Sequence, residues 1–421
     1  MSLPRYSEYK DSGVPWLGEV PKHWDVAPFK RLVEFQNGSD HKPIEVEDGY
    51  PVYGSGGVFA YASEYMHDGE SVLLGRKGTI DRPLYVTGKF WAVDTMYWTH
   101  IATDACGKFC YYAALSIPFS YYSTNTALPS MTQGALGAHL MAFPDKEEQV
   151  EVAAFLDRET AKIDALIAEQ ETLLALLAEK RQATISHAVT RGLDPDVPMK
   201  DSGIAWLGEV PAHWEVVKCG RFLSVLSGFA FPSVGFDHSG SGTRLLRGAN
   251  VGVGALRWDD VAYWERTPGD GLDEYELKVG DLVLGMDRPL ISAGMRVARV
   301  RESDLPCLLL QRVASLRTSA GLLAPFLMHY LSTPMFVAHF SPETTGVSVP
   351  HISPDQITSF VIAIPPVTEQ TCIVEHLRHE LERMDFLHEN ARRAIDLLTE
   401  RRSALIAAAV TGKIDVRGLA A

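Results

Sequence analysis

Several short stretches of this sequence combine small, flexible residues with hydrogen-bond donors. Tyr53-Gly-Ser-Gly-Gly57 offers Tyr53 and Ser55, Gly75-Arg-Lys-Gly-Thr79 offers Arg76, Lys77 and Thr79, and Ser123-Thr-Asn-Thr126 adds Asn125. Further along, Arg244, Arg247 and Asn250 cluster around Gly248, Arg288 lies in a loop-like stretch, and Thr344-Thr-Gly-Val-Ser348 adds Thr345 and Ser348. Side chains of these kinds contact phosphate oxygens and base edges. Any one such loop is more often a plain surface turn. The DNA-binding reading rests on their number and on their recurrence in two halves of the chain.

Catalytic patterns are missing. No Gly-x4-Gly-Lys-Ser/Thr phosphate loop occurs, and Gly248-Ala-Asn-Val-Gly-Val-Gly254 reads as a turn. Cys106 and Cys110 form the one close cysteine pair, with no second pair to complete a zinc site, so no metal or other cofactor is expected. The Asn-Pro-Pro-Tyr type of motif that amino-methyltransferases place at a target base is absent, and Glu276-Leu-Lys278 is half of a nuclease pattern with no acidic partner. His23 and His213, beside Trp24 and Trp214, suit packing at a domain–helix junction better than catalysis.

The elements that must position the loops are visible as a repeat. Residues 10–26 and 200–216 match at roughly 13 of 17 positions, including Trp-Leu-Gly-Glu-Val-Pro-x-His-Trp at Trp16 to Trp24 and at Trp206 to Trp214. Residues 143–194 align without a gap on 364–415, pairing Pro144 with Pro365, Gln149 with Gln370, Leu156 with Leu377, Asp164 with Asp385 and Arg181 with Arg402. Between Pro144 and Gly192 there is neither Pro nor Gly, and Leu156, Ile163, Leu166, Leu173 and Leu177 follow a heptad-like spacing. Leu377, Met384, Leu387, Ala394 and Leu398 repeat it. An amphipathic helix of this length must cover its stripe, and the other copy is the partner of choice.

The order is frame, variable region, helix, twice over. It predicts an α+β chain: two mixed α/β domains separated by two long helices packed as an antiparallel coiled coil, with a pseudo-twofold internal repeat. The expected segments are 1–142, a first variable domain; 143–194, a central helical region; 195–363, a second variable domain; and 364–421, a C-terminal helical region. Val72-Leu-Leu-Gly75 and Leu282-Val-Leu-Gly285 are the clearest shared strand, and 92–100 and 305–316 also read as strands. The second helix ends where another frame would begin, so the order resembles a ring cut at one of two equivalent joints.

At 421 residues, 46% hydrophobic and 22% charged, the chain is an ordinary globular one of two or more domains. Five cysteines, no long apolar run and no apolar core in the first ten residues point to a reducing cytoplasm and away from a membrane. The net charge of −14 argues against a simple basic nucleic-acid binder. Neither variable region is basic: 25–142 holds 8 basic and 12 acidic residues, and 215–363 holds 13 and 15. A DNA reader built this way must use local patches, and it suits an assembly whose other subunits add positive charge.

The paired Trp-Leu-Gly-Glu-Val-Pro-x-His-Trp motifs, Tyr53-Gly-Ser-Gly-Gly57, the Gln149/Leu156 and Gln370/Leu377 helix starts, and the helix tails to Thr190 and Asp415 together resemble the DNA-specificity subunits of type I restriction–modification systems. The resemblance covers nearly the whole chain. It implies two target-recognition domains, each reading half of a split double-stranded DNA site, with the helices setting the spacing. It also implies two docked methyltransferase subunits, a motor–nuclease restriction subunit, and no catalysis in this chain. The alternative is a coiled-coil adaptor recognising a partner other than DNA.

Overall fold

A computed structural model describes residues 3–122, 130–344 and 351–419, without the side chains of 341–344. Asn125, Thr345 and Ser348 lie outside the described residues. The chain divides into two compact units, Met1–Thr172 with Ala391–Ala421, and Leu173–Asn390. The two long helices, Lys146–Arg191 and Val367–Val410, each contribute to both units. The helical segments of the sequence are therefore divided between the compact units. The first helix begins at Lys146, where Asp145 Oδ1 accepts from Glu148 N–H at 3.0 Å and starts it.

Each unit contains the repeated frame, folded as a hairpin: Tyr9–Asp11 against Glu19–Pro21 in the first, Met199–Asp201 against Glu209–Pro211 in the second. The turn chemistry is the same in both. Asp11 and Asp201 accept from the N–H of Gly13 and Gly203 at 3.0 Å, and the hydroxyls of Ser12 and Ser202 accept from Val14 and Ile204 N–H. Gly13 and Gly18, like Gly203 and Gly208, have φ between 60° and 71°, a backbone that residues with a Cβ avoid.

The sheets also follow one plan. In the first unit a four-stranded antiparallel sheet runs Leu84–Val86, Ser71–Gly75, Met96–Ile101, Val33–Asn37. Beside it, Lys89–Ala92 pairs in parallel with Tyr50–Gly54. In the second unit the corresponding sheet runs Val297–Arg299, Leu282–Gly285, Val313–Thr318, Leu223–Ser227. There Cys307–Leu309 pairs in parallel with Thr243–Leu246. The runs 92–100 and 305–316, expected as single strands, are each broken by a turn. The chain leaves one sheet and enters the other at Val93-Asp-Thr95 and at Leu310-Gln-Arg312, so one apolar run serves two sheets.

Both domains are tied to the start of a long helix by a carboxylate, buried in the first unit and half-buried in the second. In the first unit Trp24 is fully buried and its Nε1–H donates to Glu148 Oε1 at 3.0 Å. Tyr6 Oη–H donates to the same oxygen at 2.7 Å, and His23 Nε2 lies 2.8 Å from Oε2. The second unit repeats this with Trp214 Nε1–H to Glu369 Oε1 at 3.0 Å and His213 Nε2 at 2.8 Å from Oε2. The histidines of the frame thus pack at the domain–helix junction. The neighbouring glutamines extend the tie: Gln149 Oε1 accepts from Cys106 N–H and Gln370 Oε1 from Leu323 N–H, next to the helices Gly107–Leu115 and Ala324–Leu331.

The C-terminal ends of the long helices close on the same tryptophans. A Cβ at Gly412 (φ 69°) would lie 2.3 Å from Pro21 Cδ and 3.3 Å from Trp24, and one at Gly192 (φ 77°) would lie 3.3 Å from Trp214. Asp415 N–H donates to Pro4 C=O at 2.8 Å, so the two ends of the chain meet in the first unit.

Within the first unit, Val152, Ala153, Phe155 and Leu156 share a core with Ile406, Ala409 and Val410, and Arg402 Nε–H donates to Asp164 Oδ1 at 2.8 Å. Within the second, Leu177, Ile185, Ala188 and Val189 share a core with Ile373, Leu377, Leu381 and Met384, and Arg181 pairs with Asp385. The seam is not covered throughout: Leu166, Leu173 and Leu387 are exposed, with Leu176, Phe386 and Leu397 also open to solvent. A heptad pattern identifies the apolar stripe but not which parts of it gain a neighbour.

Two histidines are shielded from water, His139 buried and His329 half-buried. His139 is stacked on Trp16 at 4.6 Å, its Nδ1 is 2.6 Å from Tyr122 Oη, and burial pulls its pKa down to about 4. Burial, with Arg181 nearby, does the same to His329. Both stay neutral in the folded state at a pH where unfolded imidazoles, near 6.5, take up protons. Stability is therefore full above about pH 6.5 and falls towards pH 4, with a limiting slope of about 1.4 kcal/mol per pH unit for each histidine. Urea titrations between pH 7 and 4.5 should show this, and His139→Gln should flatten the slope.

Glu148 accepts from more donors than Glu369, and its side chain is 8% exposed against 30%. Glu148→Ala should cost about 3 kcal/mol and Glu369→Ala about 1–2 kcal/mol, because each strands its buried donors. Equal losses in chemical unfolding would contradict this account.

Candidate nucleic-acid interface

The predicted loops converge in each unit, through equivalent backbone bonds. In the first unit Tyr53 C=O accepts from Val93 N–H at 3.1 Å, which sets the Ser55-Gly56 turn beside 93–95. Arg76 N–H donates to Thr95 C=O at 2.8 Å, Met131 N–H donates to Arg76 C=O at 3.0 Å, and Lys77 bridges Ser130. Tyr53, Ser55, Arg76, Lys77 and Thr79 thus belong to one group of loops. Lys77 and Thr79 are exposed. Arg76 is half-buried, with its guanidinium 6.0 Å from the centre of the Tyr97 ring and Nη1 3.4 Å from Asp94 C=O. Asn125 belongs to the chain leading into Ser130 and lies outside the described residues.

The second unit uses the same slots. Leu246 C=O accepts from Leu310 N–H at 3.2 Å, Met286 N–H donates to Arg312 C=O at 2.9 Å, Ile352 N–H donates to Met286 C=O at 2.9 Å, and Asp287 bridges His351. The loops enclose a cavity of about 470 Å³ lined by Gly248, Ala249, Asp287, Arg288, Arg296, Leu310, Gln311 and Arg312. Arg288 and Arg312 are exposed, and both have a left-handed backbone, with φ 46° and 68°. Arg296 is held inward: its Nε–H donates to Val251 C=O and its Nη1–H to Asp287 C=O, both at 3.0 Å, and burial lowers its pKa.

Three predicted contacts of the second unit have internal duties instead. Asn250 is buried; its Oδ1 accepts from Arg247 N–H at 3.1 Å, and its amide donates to Arg257 and Asp260 C=O at 2.9 and 2.8 Å. Arg247 is paired with Asp260 at 2.8 Å. Arg244 lies over Trp258 at 4.8 Å and donates to Ser303 and Leu305 C=O. In place of these three, the loop group contains Asp287, Arg296, Gln311, Arg312 and His351. The signal for Gln311-Arg312 was present in the sequence, since a polar pair inside an apolar run marks a turn.

Among the described residues no group of three or more His, Cys, Asp or Glu is placed to hold a metal ion. Among them also, no helix is long and apolar enough to cross a membrane.

Comparison with known proteins agrees with the geometry. The family model described as the type I restriction modification DNA specificity domain matches residues 21–175. The EcoAI specificity subunit of Escherichia coli is 32% identical over 206 residues, covering 49% of this chain but only 34% of that protein. The MjaVIII specificity subunit of Methanocaldococcus jannaschii is 24% identical over 429 aligned positions, covering 95% of each chain. Two solved structures share the fold. One, reported under complex assembly and conformational transition of the type I R-M system, has TM-score 0.66 and 16% identity and covers 93% of this chain and 98% of its own. The other, the HsdS subunit from Thermoanaerobacter tengcongensis, has TM-score 0.52 and 16% identity and covers 94% and 98%. The chain is thus similar to the type I restriction–modification specificity subunits, in part of its length to the EcoAI subunit and across most of it to the MjaVIII subunit.

Asn250 and Arg288 separate internal from outward roles. Asn250→Ala should destabilise the protein by about 2 kcal/mol by removing three hydrogen bonds that hold the loop. Arg288→Gly, which restores the residue type of the equivalent Gly78 (φ 82°), should gain about 1 kcal/mol. Thermal unfolding of the two variants should move in opposite directions.

Proposed function

We propose that this chain is the non-catalytic DNA-recognition and scaffold subunit of a type I restriction–modification complex, each unit reading one half of a bipartite double-stranded site. The observation that carries the reading is the repeated loop group. Equivalent backbone bonds hold equivalent loops in both units, while the side chains they present differ. A protein that reads two unlike half-sites requires this combination. The division into a first target-recognition domain, 25–142 within 1–142, and a second, 215–363 within 195–363, follows the frames.

Methylation and cleavage belong in this reading to partners: two methyltransferase subunits and a motor–nuclease restriction subunit, working with the chain in the cytoplasm. The long helices supply an antiparallel coiled coil that sets the half-site spacing, and their exposed apolar residues, such as Leu166, Phe386 and Leu397, suit a docking surface. The net charge of −14 fits recognition that depends on partners for much of its phosphate attraction. The adaptor alternative draws no support from the relatives.

The test is a domain exchange. Replacing 25–142 with the corresponding region of a relative, in the chain co-expressed with its methyltransferase, should change one half of the methylated sequence and leave the other half and the spacer intact. Sequencing of the methylated sites reads the outcome. A change in both halves would overturn the two-reader assignment.

A further inference from the structure

Arg312 has an unusual setting. It occupies a left-handed backbone position (φ 68°) that costs a residue with a Cβ roughly what a glycine would not pay. Its carbonyl is tied to Met286 N–H at 2.9 Å, so the backbone there is fixed. Its side chain is 71% exposed, and Nη1–H donates to Asp287 Oδ2 at 3.0 Å. Asp287 is itself held: Oδ1 lies 2.7 Å from His351 Nδ1, and its carbonyl accepts from the inward Arg296. An exposed ion pair of this kind adds little to stability. The strained position, the long cation and its orienting carboxylate therefore have no account in the fold alone.

We infer that Arg312 is a specificity-determining residue, reading a guanine in the half-site of the second unit, with Asp287 as its positioning residue; this rests on the proposed recognition function. The argument concerns orientation. Phosphate contacts need charge and tolerate many geometries, and a carboxylate 3.0 Å away would repel a phosphate arriving at the same place. A base edge needs a planar fork held in one attitude. Asp287 takes one Nη1 hydrogen of an exposed guanidinium, and the two parallel donors of its Nε and Nη2 edge match O6 and N7 of guanine in the major groove. The equivalent slot of the first unit holds Thr95, whose carbonyl accepts from Arg76 N–H as Arg312's does from Met286, so the same place in the fold carries a different side chain.

The test uses the full chain co-purified with its methyltransferase subunits, a randomised duplex library and sequencing of the bound and methylated molecules. Arg312→Ala should lose discrimination at one position of one half-site by about 10- to 100-fold, with the other half-site unchanged. Arg312→Lys keeps the charge but not the fork and should relax the same position while retaining the salt dependence of binding. Asp287→Asn should weaken preference at that position only. Arg312→Gly should unfold at or above the wild-type temperature, which separates a reading role from a structural one. Full discrimination by Arg312→Lys, or an unchanged target with Arg312→Ala, would overturn the assignment. A wild-type complex that selects no sequence at all would instead overturn the recognition function on which it rests.

Discussion

An indole N–H taken out of water needs an acceptor, and the domains of this protein are fastened through that requirement. Trp24 and Trp214 are enclosed, and Glu148 and Glu369 meet them. Each carboxylate sits in the first turn of a long helix, where the aligned peptide dipoles favour negative charge. Satisfying the tryptophan therefore also fixes where the helix starts against the hairpin. The next residue completes the joint. Gln149 Nε2–H donates to Pro144 C=O and Gln370 Nε2–H to Pro365 C=O, both at 2.9 Å, while their carbonyl oxygens take N–H groups of the domain. Two consecutive side chains thus connect hairpin, long helix and the start of a domain helix, and the same pair does so twice.

Charge is organised on a second, more local principle. Many arginines of the second unit serve the fold. Arg266 faces Asp270, Asp273 and Glu276, and Arg317 grips Asp281 with Nε at 3.0 and Nη2 at 2.9 Å. Arg244 and Arg247 hold loop carbonyls. These pairs neutralise cation and acid together, so a count of basic residues in 215–363 overstates what is available to a polyanion. Outward cations also stand on the converging loops, among them Lys77, Arg288 and Arg312. A net acidic chain can then present a local basic rim, while the acidic remainder lowers nonspecific attraction to DNA.

The architecture was legible because repetition is a long-range signal: matched frames and helices report the order of parts without any knowledge of contacts. The anchoring glutamates were not read from it, although Glu148 and Glu369 fall at the same offset as Gln149 and Gln370, because spacing alone does not say which member of an aligned pair is buried. The loop residues were harder. Asn250 beside Gly248 and Arg247 has the composition of a surface loop, yet its amide is a turn-forming group that replaces backbone partners. Arg312 was hidden by the opposite error, an apolar run read as one strand when the chain changes sheets in its middle. In both cases the side chain's duty depends on which backbone groups lack partners, and that is a property of the fold rather than of the residue.

The loop slots show why one scaffold can carry unlike surfaces. Arg76 and Met286, Lys77 and Asp287, Gly78 and Arg288, Thr95 and Arg312, and Ser130 and His351 occupy corresponding places, and the bonds that fix those places run through the main chain. Main-chain N–H and C=O are supplied by every residue except proline, which lacks only the donor, so the loops keep their course when side chains change. The exchange is nearly free of structural cost where φ is negative. Where it is positive, as at Gly78 and Arg288, replacing glycine costs about 1–2 kcal/mol. A stable domain tolerates a charge of that size at one or two positions, because the hairpin, the buried tryptophan and the helix start that hold it lie in other residues. Stability is thereby kept in the repeated parts, and the variable loops are left to differ.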